Sequence, residues 1–276
     1  MLNFLRYELS VRQAAIFGWG LGLSGFIAVY TIFYPFIPGE MMGMIGEIEL
    51  YQAMGITDMS TFGGYFASTV LNFLSLLAII FALTNATATL AGEEDAGTLE
   101  LLATLPLARW QIVVLKAIAM SIALLFVLVL AGLMGIIMVY VVSTLVDESI
   151  MEPMRAFTLA LEAWPITFVF MMISLWLAAY LPTRRVAVAA ATVVVIFSFF
   201  GNNLVPLVDG LEPIRPLFLY QYYDRSAFSI TEGSMSTGDL LILLGAGAFF
   251  LGLAILSFQR RNLTTAAWPW QRARGE

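Results

Sequence analysis

The chain has 276 residues, of which 61% are hydrophobic and 12% are charged, and its formal net charge is −6. Soluble globular proteins are about half apolar and a quarter charged, so this composition excludes an ordinary soluble domain. The chain contains no cysteine and no histidine. This excludes disulfides, thiolate metal sites and thiol catalysis, and it removes the commonest zinc ligand and the commonest general base. An acidic chain of this kind lacks the basic composition that is typical of nucleic-acid-binding proteins.

Six long stretches of the sequence carry no charge, at 13–39, 59–92, 117–146, 163–183, 186–208 and 240–259. Each exceeds the roughly 18 apolar residues at which a membrane-spanning helix becomes the default interpretation. Lipid offers the backbone no hydrogen-bond partner, so the stretches are expected to be helices, and no alternating pattern indicates a barrel. The sequence predicts an all-α polytopic protein with one transmembrane domain over 1–276. Its six spans are predicted at roughly 14–36, 62–91, 112–146, 160–181, 186–208 and 240–259.

The segment before the first span, residues 2–13, has an amphipathic pattern. Leu2, Leu5 and Leu9 share one face of a helix, and Arg6 points away from it. Two interpretations stay open: a short helix in the plane of the membrane interface, or the start of the first span itself. The apolar run that follows is too long for a signal peptide and has no cleavage signal, so an uncleaved span is expected.

The second span carries a seam of small and polar residues at helical spacing. The seam consists of Ser68, Asn72, Ser75, Ile79, Ala82, Ala86 and Thr89. Such residues let helices approach closely and hydrogen-bond to each other. The seam is therefore interpreted either as a packing surface or as the wall of a transport pathway.

The connection between the fifth and sixth spans, residues 209–238, contains an unusually apolar stretch. Its segment 217–223 is too apolar for a free loop and too short to cross the membrane. Tyrosines favour the boundary between lipid and water, so an interfacial or re-entrant segment is predicted. The fifth span is expected to break at Gly201, Asn202 and Asn203, just before this segment.

Positive charges predict the orientation of the chain. Six spans place ten of the thirteen Lys and Arg residues on the side of both termini, and three on the other side. The acidic residues divide six and thirteen, so the first side has a net charge of +4 and the second −10. Both termini are therefore predicted to be cytoplasmic, in a multi-pass protein of the cell membrane.

The inner loop between spans two and three has a pattern of its own. Glu93, Glu94 and Asp95 suit the positive end of a helix dipole, and leucines three residues apart follow. Pro106 then stops the helix before Arg109 opens the next span. A short amphipathic helix at the inner surface is predicted, and its apolar side needs a partner groove.

This loop resembles the permease subunits of type-2 ABC exporters. The pattern E-x-x-G-T-L-E-x-L-x-x-x-P-x-x-R is matched here by Glu94, Gly97, Thr98, Leu99, Glu100, Leu102, Pro106 and Arg109. Lys116 follows one to two turns later, at the start of the third span. The six-span layout and the segment before span six extend the resemblance over nearly the whole chain.

The resemblance implies that the loop is a coupling helix seated in a separate ATPase subunit, with Glu93 among its contact residues. It also implies two ATPase subunits, which bind ATP and Mg, and a second permease chain, identical or related. The pathway is then formed mainly by spans two and five, so its candidate residues are Ser68, Asn72, Ser75, Asn202 and Asn203. The resemblance implies no cofactor or metal in the chain itself.

Other functions were weighed against this one. A P-loop needs Gly-Lys-Ser/Thr, and Lys116, the only lysine, follows Leu115 in an apolar helix, so no ATPase activity is expected. An intramembrane enzyme is rejected because no general base lies beside the polar groups of the spans. Secondary transporters normally hold ionisable groups near the membrane midplane. None of the six uncharged stretches contains an Asp, Glu, Lys or Arg, so a secondary transporter is disfavoured. A membrane receptor or sensor that binds a partner without transporting remains the alternative.

Overall fold

The computed structural model describes residues 2–39, 41, 44, 48, 51, 59, 61–93, 107–146, 150–208, 210–223 and 235–260. All regular elements in these ranges are helical, and they include no strand. Six helices are long and apolar enough to cross a membrane. The prediction of an all-α, multi-pass membrane protein with six spans is confirmed.

Seven helices, numbered in chain order, build the six spans. They are α1 Leu2–Phe33, α2 Phe62–Gly92, α3 Arg109–Ser143, α4 Pro153–Glu162, α5 Trp164–Tyr180, α6 Arg184–Leu204 and α7 Thr237–Gln259. The fourth span, predicted as one helix, consists of α4 and α5 with a break at Ala163. Pro153 and Pro165 lie in the first turns of α4 and α5, where a missing N–H is tolerated.

Helix α1 is continuous from Leu2 to Phe33. Residues 2–13 are therefore the first part of this helix and do not form a separate one, which favours the interpretation that they begin the first span. The physical reason lies in two charged side chains of this segment. Glu8 and Arg12 are buried against the bundle rather than turned to solvent, so they hold this part of α1 against its neighbours.

Helix α2 forms the centre of the bundle. The rest of the chain covers 78% of its apolar stretch, against 17% for α7. Two stretches of α2, Phe66–Leu71 and Ala88–Gly92, have the wider π-helical hydrogen bonding. Such turns shift the side chains that follow them around the helix axis and are frequent at functional sites.

Several of the other helices pack along one another in pairs. Helix α1 packs along α3, α5 packs along α7, and α3 also contacts α4. The outer faces of the bundle keep large apolar side chains exposed, including Phe17 at 60% and Phe197 at 68%. In a protein that spans the membrane these faces contact lipid, so their exposure costs nothing.

The aromatic segment before α7 folds back into the bundle. It forms two 3-10 turns, Glu212–Leu217 and Leu219–Tyr222. Phe218, Tyr220 and Tyr223 are buried, and the Tyr220 ring lies 5.2 Å from that of Phe199 on α6. The aromatic segment is therefore packed into the bundle, against α6. Helix α6 ends at Leu204, one residue after the predicted break.

Candidate functional site

Most residues of the predicted coupling helix lie outside the described residues. These are Glu94, Gly97, Thr98, Leu99, Glu100, Leu102 and Pro106. The two predicted coupling residues that the structure describes, Glu93 and Arg109, flank this loop on either side. Glu93 directly follows α2, and Arg109 is the first residue of α3.

Arg109 lies at the surface beside the end of another span. Its guanidinium Nη1 is 3.5 Å from the backbone carbonyl oxygen of Gln259, the last residue of α7. A cation at this position interacts favourably with the negative end of the α7 dipole. The start of α3 is fixed further by Gln111, whose side-chain oxygen accepts a hydrogen bond of 2.9 Å from the Ala108 N–H.

Glu93 points into the bundle, where it meets the only lysine of the chain. The Lys116 Nζ donates to Glu93 Oε1 at 2.7 Å and to Glu8 Oε1 at 2.7 Å. Lys116 is completely buried, and Glu8 is 3% exposed. The ammonium therefore bridges one carboxylate of α1 and one at the end of α2, and it lies itself on α3.

Arg12 completes this cluster. Its guanidinium forms an ion pair with Glu8, one turn earlier on α1, and donates to the Glu8 backbone carbonyl at 2.7 Å. Its second nitrogen, Nη2, donates to the Thr89 hydroxyl on α2 at 2.9 Å. Two cations and two carboxylates thus share one buried site, which we call the inner charge cluster: Glu8, Arg12, Glu93 and Lys116.

The environment of the cluster changes the acidity of Glu93. Burial raises the pKa of the Glu93 carboxyl above its ordinary value, because excluded water no longer stabilises the carboxylate. The Lys116 ammonium opposes this shift and keeps part of the carboxylate's stabilisation. The Phe4 ring, 5.7 Å from Lys116 Nζ, covers the ammonium from the side of α1.

The end of α2 also touches the start of α6. A Cβ atom added to Gly92 would lie 3.4 Å from Cδ of Arg184, the first residue of α6. Within the five residues Thr89 to Glu93, α2 therefore contacts α1, α3 and α6. The chain therefore enters the predicted coupling loop at a place where α2 meets α1, α3 and α6.

The predicted pathway residues lie at the opposite end of the bundle. Ser68, Asn72 and Ser75 occur in the first half of α2, and all three are buried within the chain. Asn202 and Asn203 lie at the end of α6 and are each 7% exposed. Because α6 starts beside Gly92 and runs back, its end and the start of α2 lie on the same side of the bundle.

The sequence interpretation missed Glu8 and Arg12 as members of a site. Their signal was available: they are four residues apart on one helix, and Lys116 is a lone cation at the start of an apolar span. A charge within a span requires a partner. Nothing in the sequence pairs Lys116 with a residue 108 positions earlier. In the described ranges, no group of three acidic, His or Cys residues could hold a metal.

These features define a polytopic membrane protein in which one end of the bundle joins several spans to one loop. A sequence model of the ABC-2 family transporter proteins matches residues 5–263, nearly the entire chain. The chain belongs to the ABC-2 transporter family, and it is a membrane component of an ABC transporter. A comparison with curated proteins finds no match.

Proposed function

We propose that this chain is the permease subunit of an ATP-driven exporter of the cell membrane, coupled to a separate ATPase by the loop between α2 and α3. One observation carries the proposal. Glu93, which leads into the loop, is held at 2.7 Å by the buried Lys116. A loop anchored in this way passes a displacement to the spans, whereas a loosely attached surface loop would absorb it.

The energy source is proposed to lie on a partner chain. Neither a P-loop nor a second lysine occurs in the sequence, so ATP and Mg are assigned to the ATPase. ABC-2 permeases associate with ABC ATPase subunits. We propose two such subunits and a second permease chain, identical or related, with all termini cytoplasmic.

The pathway is proposed to involve the outer half of α2 and the end of α6. Ser68, Asn72 and Ser75 supply polar groups on α2, and Asn202 and Asn203 supply amides on α6. The Asn202 amide Nδ2 donates to Asn203 Oδ1 at 3.4 Å, a weak bond that a polar group of a substrate could replace. All five side chains are uncharged, which suits an apolar or amphipathic substrate.

The test is purification of the tagged chain from its native membrane, followed by identification of its partners and an assay of ATP hydrolysis. A stoichiometric ATPase is expected to co-purify. The double variant Glu100→Arg with Leu102→Asp is expected to lose it, because a charge would enter the apolar side of the coupling helix. Leu145→Asp serves as the control, since Leu145 is 54% exposed just beyond the other end of α3.

The outcomes separate the two functions. Loss of the ATPase in the loop variant alone supports the permease. Recovery of the chain alone, or with a partner that hydrolyses no ATP, supports the receptor or sensor. Uptake of labelled compounds into inverted vesicles, dependent on ATP, would then test the direction of transport.

A further inference from the structure

The inner charge cluster closes a ring that links three helices. Glu93 contacts Lys116, Lys116 contacts Glu8, and both carboxylate contacts are 2.7 Å. Glu8 pairs with Arg12, and Arg12 donates to Thr89 at 2.9 Å. Thr89 and Glu93 are four residues apart, so the ring returns to α2 about one helical turn from where it began.

Stability alone does not explain this ring. Buried ion pairs have a high desolvation cost, and apolar side chains of similar size often stabilise a protein as much or more. Apolar side chains at all four positions of the cluster would avoid this desolvation cost. Ionisable groups inside membrane spans are usually functional for the same reason. A functional role therefore explains the ring better than stabilisation of the bundle does.

The ring supplies a directional connection at the end of the coupling loop. The hydrophobic effect between apolar faces is non-directional, whereas charge-assisted hydrogen bonds require a defined distance and geometry. Glu93 precedes the loop, and Lys116 lies eight residues into α3, about 10 Å from its start. Their ion pair thus joins the two ends of the loop across 23 positions. Lys116 also contacts Glu8, so the connection extends to α1, which is not next to the loop in the sequence.

We infer that Lys116 is a positioning residue, which makes the inner ends of α1, α2 and α3 move as one body with the coupling loop. This inference rests on the proposed function, because it requires an ATPase that displaces the loop. Lys116 contacts neither ATP nor substrate; it acts through Glu93 and Glu8. Without it, the loop still binds the ATPase, but its displacement no longer reaches α1 and α3.

The test uses hydrogen–deuterium exchange on the complete complex with its ATPase, with and without ATP plus vanadate. In the unaltered complex, nucleotide is expected to change exchange in the loop, in residues 2–13 of α1 and in residues 109–120 of α3. The double variant Lys116→Met with Glu8→Gln removes one charge of each sign from the Lys116–Glu8 contact and leaves Glu93, at the start of the loop, unaltered. It should retain the nucleotide effect in the loop and lose it in α1 and α3.

Two further variants separate positioning from general damage. The single variant Lys116→Arg keeps the cation, so α1 and α3 should respond to nucleotide as they do in the unaltered complex. Ser121→Ala is the matched control on α3, because its hydroxyl donates to the Ala117 carbonyl of its own helix, and it should respond like the unaltered complex.

The inference would be overturned by a nucleotide response that persists in α1 and α3 of the double variant, or by one confined to the loop in the unaltered complex. Failure of the unaltered chain to bring down any ATPase would instead contradict the proposed function.

Discussion

At the scale of single residues, the chain buries charged side chains inside an apolar helix bundle. Arg12 is 8% exposed, and its guanidinium serves both Glu8 and Thr89. Arg6, one and a half turns earlier on α1, is exposed. The two arginines share a helix and a charge but differ in environment. They form a matched pair for measuring what the inner charge cluster contributes to stability.

We predict that Arg12→Met destabilises the protein strongly and that Arg6→Met has little effect. Removing one partner of a buried ion pair generally costs about 3–5 kcal/mol, because the other charge stays buried without compensation. In the Arg12 variant Glu8 keeps only Lys116. Thermal unfolding of the purified chains in the same detergent measures the difference. Equal unfolding midpoints for the two variants would contradict the burial of Arg12.

Gly132 fixes the distance between α3 and α4. A Cβ at this position would lie 2.8 Å from Cδ2 of Phe157 and 3.3 Å from its backbone Cα. A Cβ atom added to Gly245 on α7 would have no neighbouring atom within 4 Å. A backbone atom cannot rotate away, unlike the end of a side chain, so α3 and α4 must separate to admit a methyl group.

We therefore predict opposite signs for the two glycine-to-alanine substitutions. Gly132→Ala should lower stability by about 1–3 kcal/mol through overpacking. Gly245→Ala should raise stability by up to about 1 kcal/mol, because alanine loses less backbone entropy in a helix. Unfolding midpoints of both variants against the parent chain give the answer. Stabilisation by Gly132→Ala would show that α3 and α4 are less closely packed than described.

At the scale of elements, the number and type of helices could be predicted from the sequence, because long uncharged stretches leave lipid-embedded backbone no alternative. The two π-helical stretches of α2 could not. Residues 66–71 have no composition that distinguishes them from their α-helical neighbours, so the wider hydrogen bonding has no local signal. The break at Ala163 within the fourth span likewise has only Pro165 as a local signal.

The candidate site was predicted in part for a related reason. Local pattern marked Glu93 and Arg109 as the ends of the coupling loop. The partner of Glu93 lies 23 positions away, and the link from Lys116 to Glu8 joins residues 108 positions apart. Contacts of this range depend on how α1 packs along α3, which periodicity within a single helix does not specify.

The aromatic outer segment depends on one close approach to α6. A Cβ on Gly201 would overlap the Phe218 ring, since its three nearest atoms all belong to that ring. We predict that Gly201→Ala displaces the segment and increases deuterium exchange in residues 210–223, while the inner ends of α1 and α3 exchange as before. The matched control is again Gly245→Ala. Unchanged exchange in 210–223 would mean that Phe218 is not seated against α6.

At the scale of the whole molecule, charge is divided between two faces that the net value of −6 conceals. Ten of thirteen basic residues lie on the predicted inner side, with the inner charge cluster at the same end. This arrangement matches the preference of cationic loops for the cytoplasm. The predicted orientation would place the proposed coupling loop on the side where ATP is available, so a test of the orientation also tests the proposed energy coupling.

The absence of cysteine makes the orientation directly testable, because any introduced cysteine is the only thiol in the chain. Gly39, Leu211 and Ala108 are all exposed. We predict that a membrane-impermeant maleimide labels Gly39→Cys and Leu211→Cys on intact cells. It should label Ala108→Cys only after permeabilisation, because Ala108 precedes α3 on the inner face. The reverse pattern would place the coupling loop outside the cell and exclude an ATPase partner. Labelling of all three from outside would contradict the six-span topology itself.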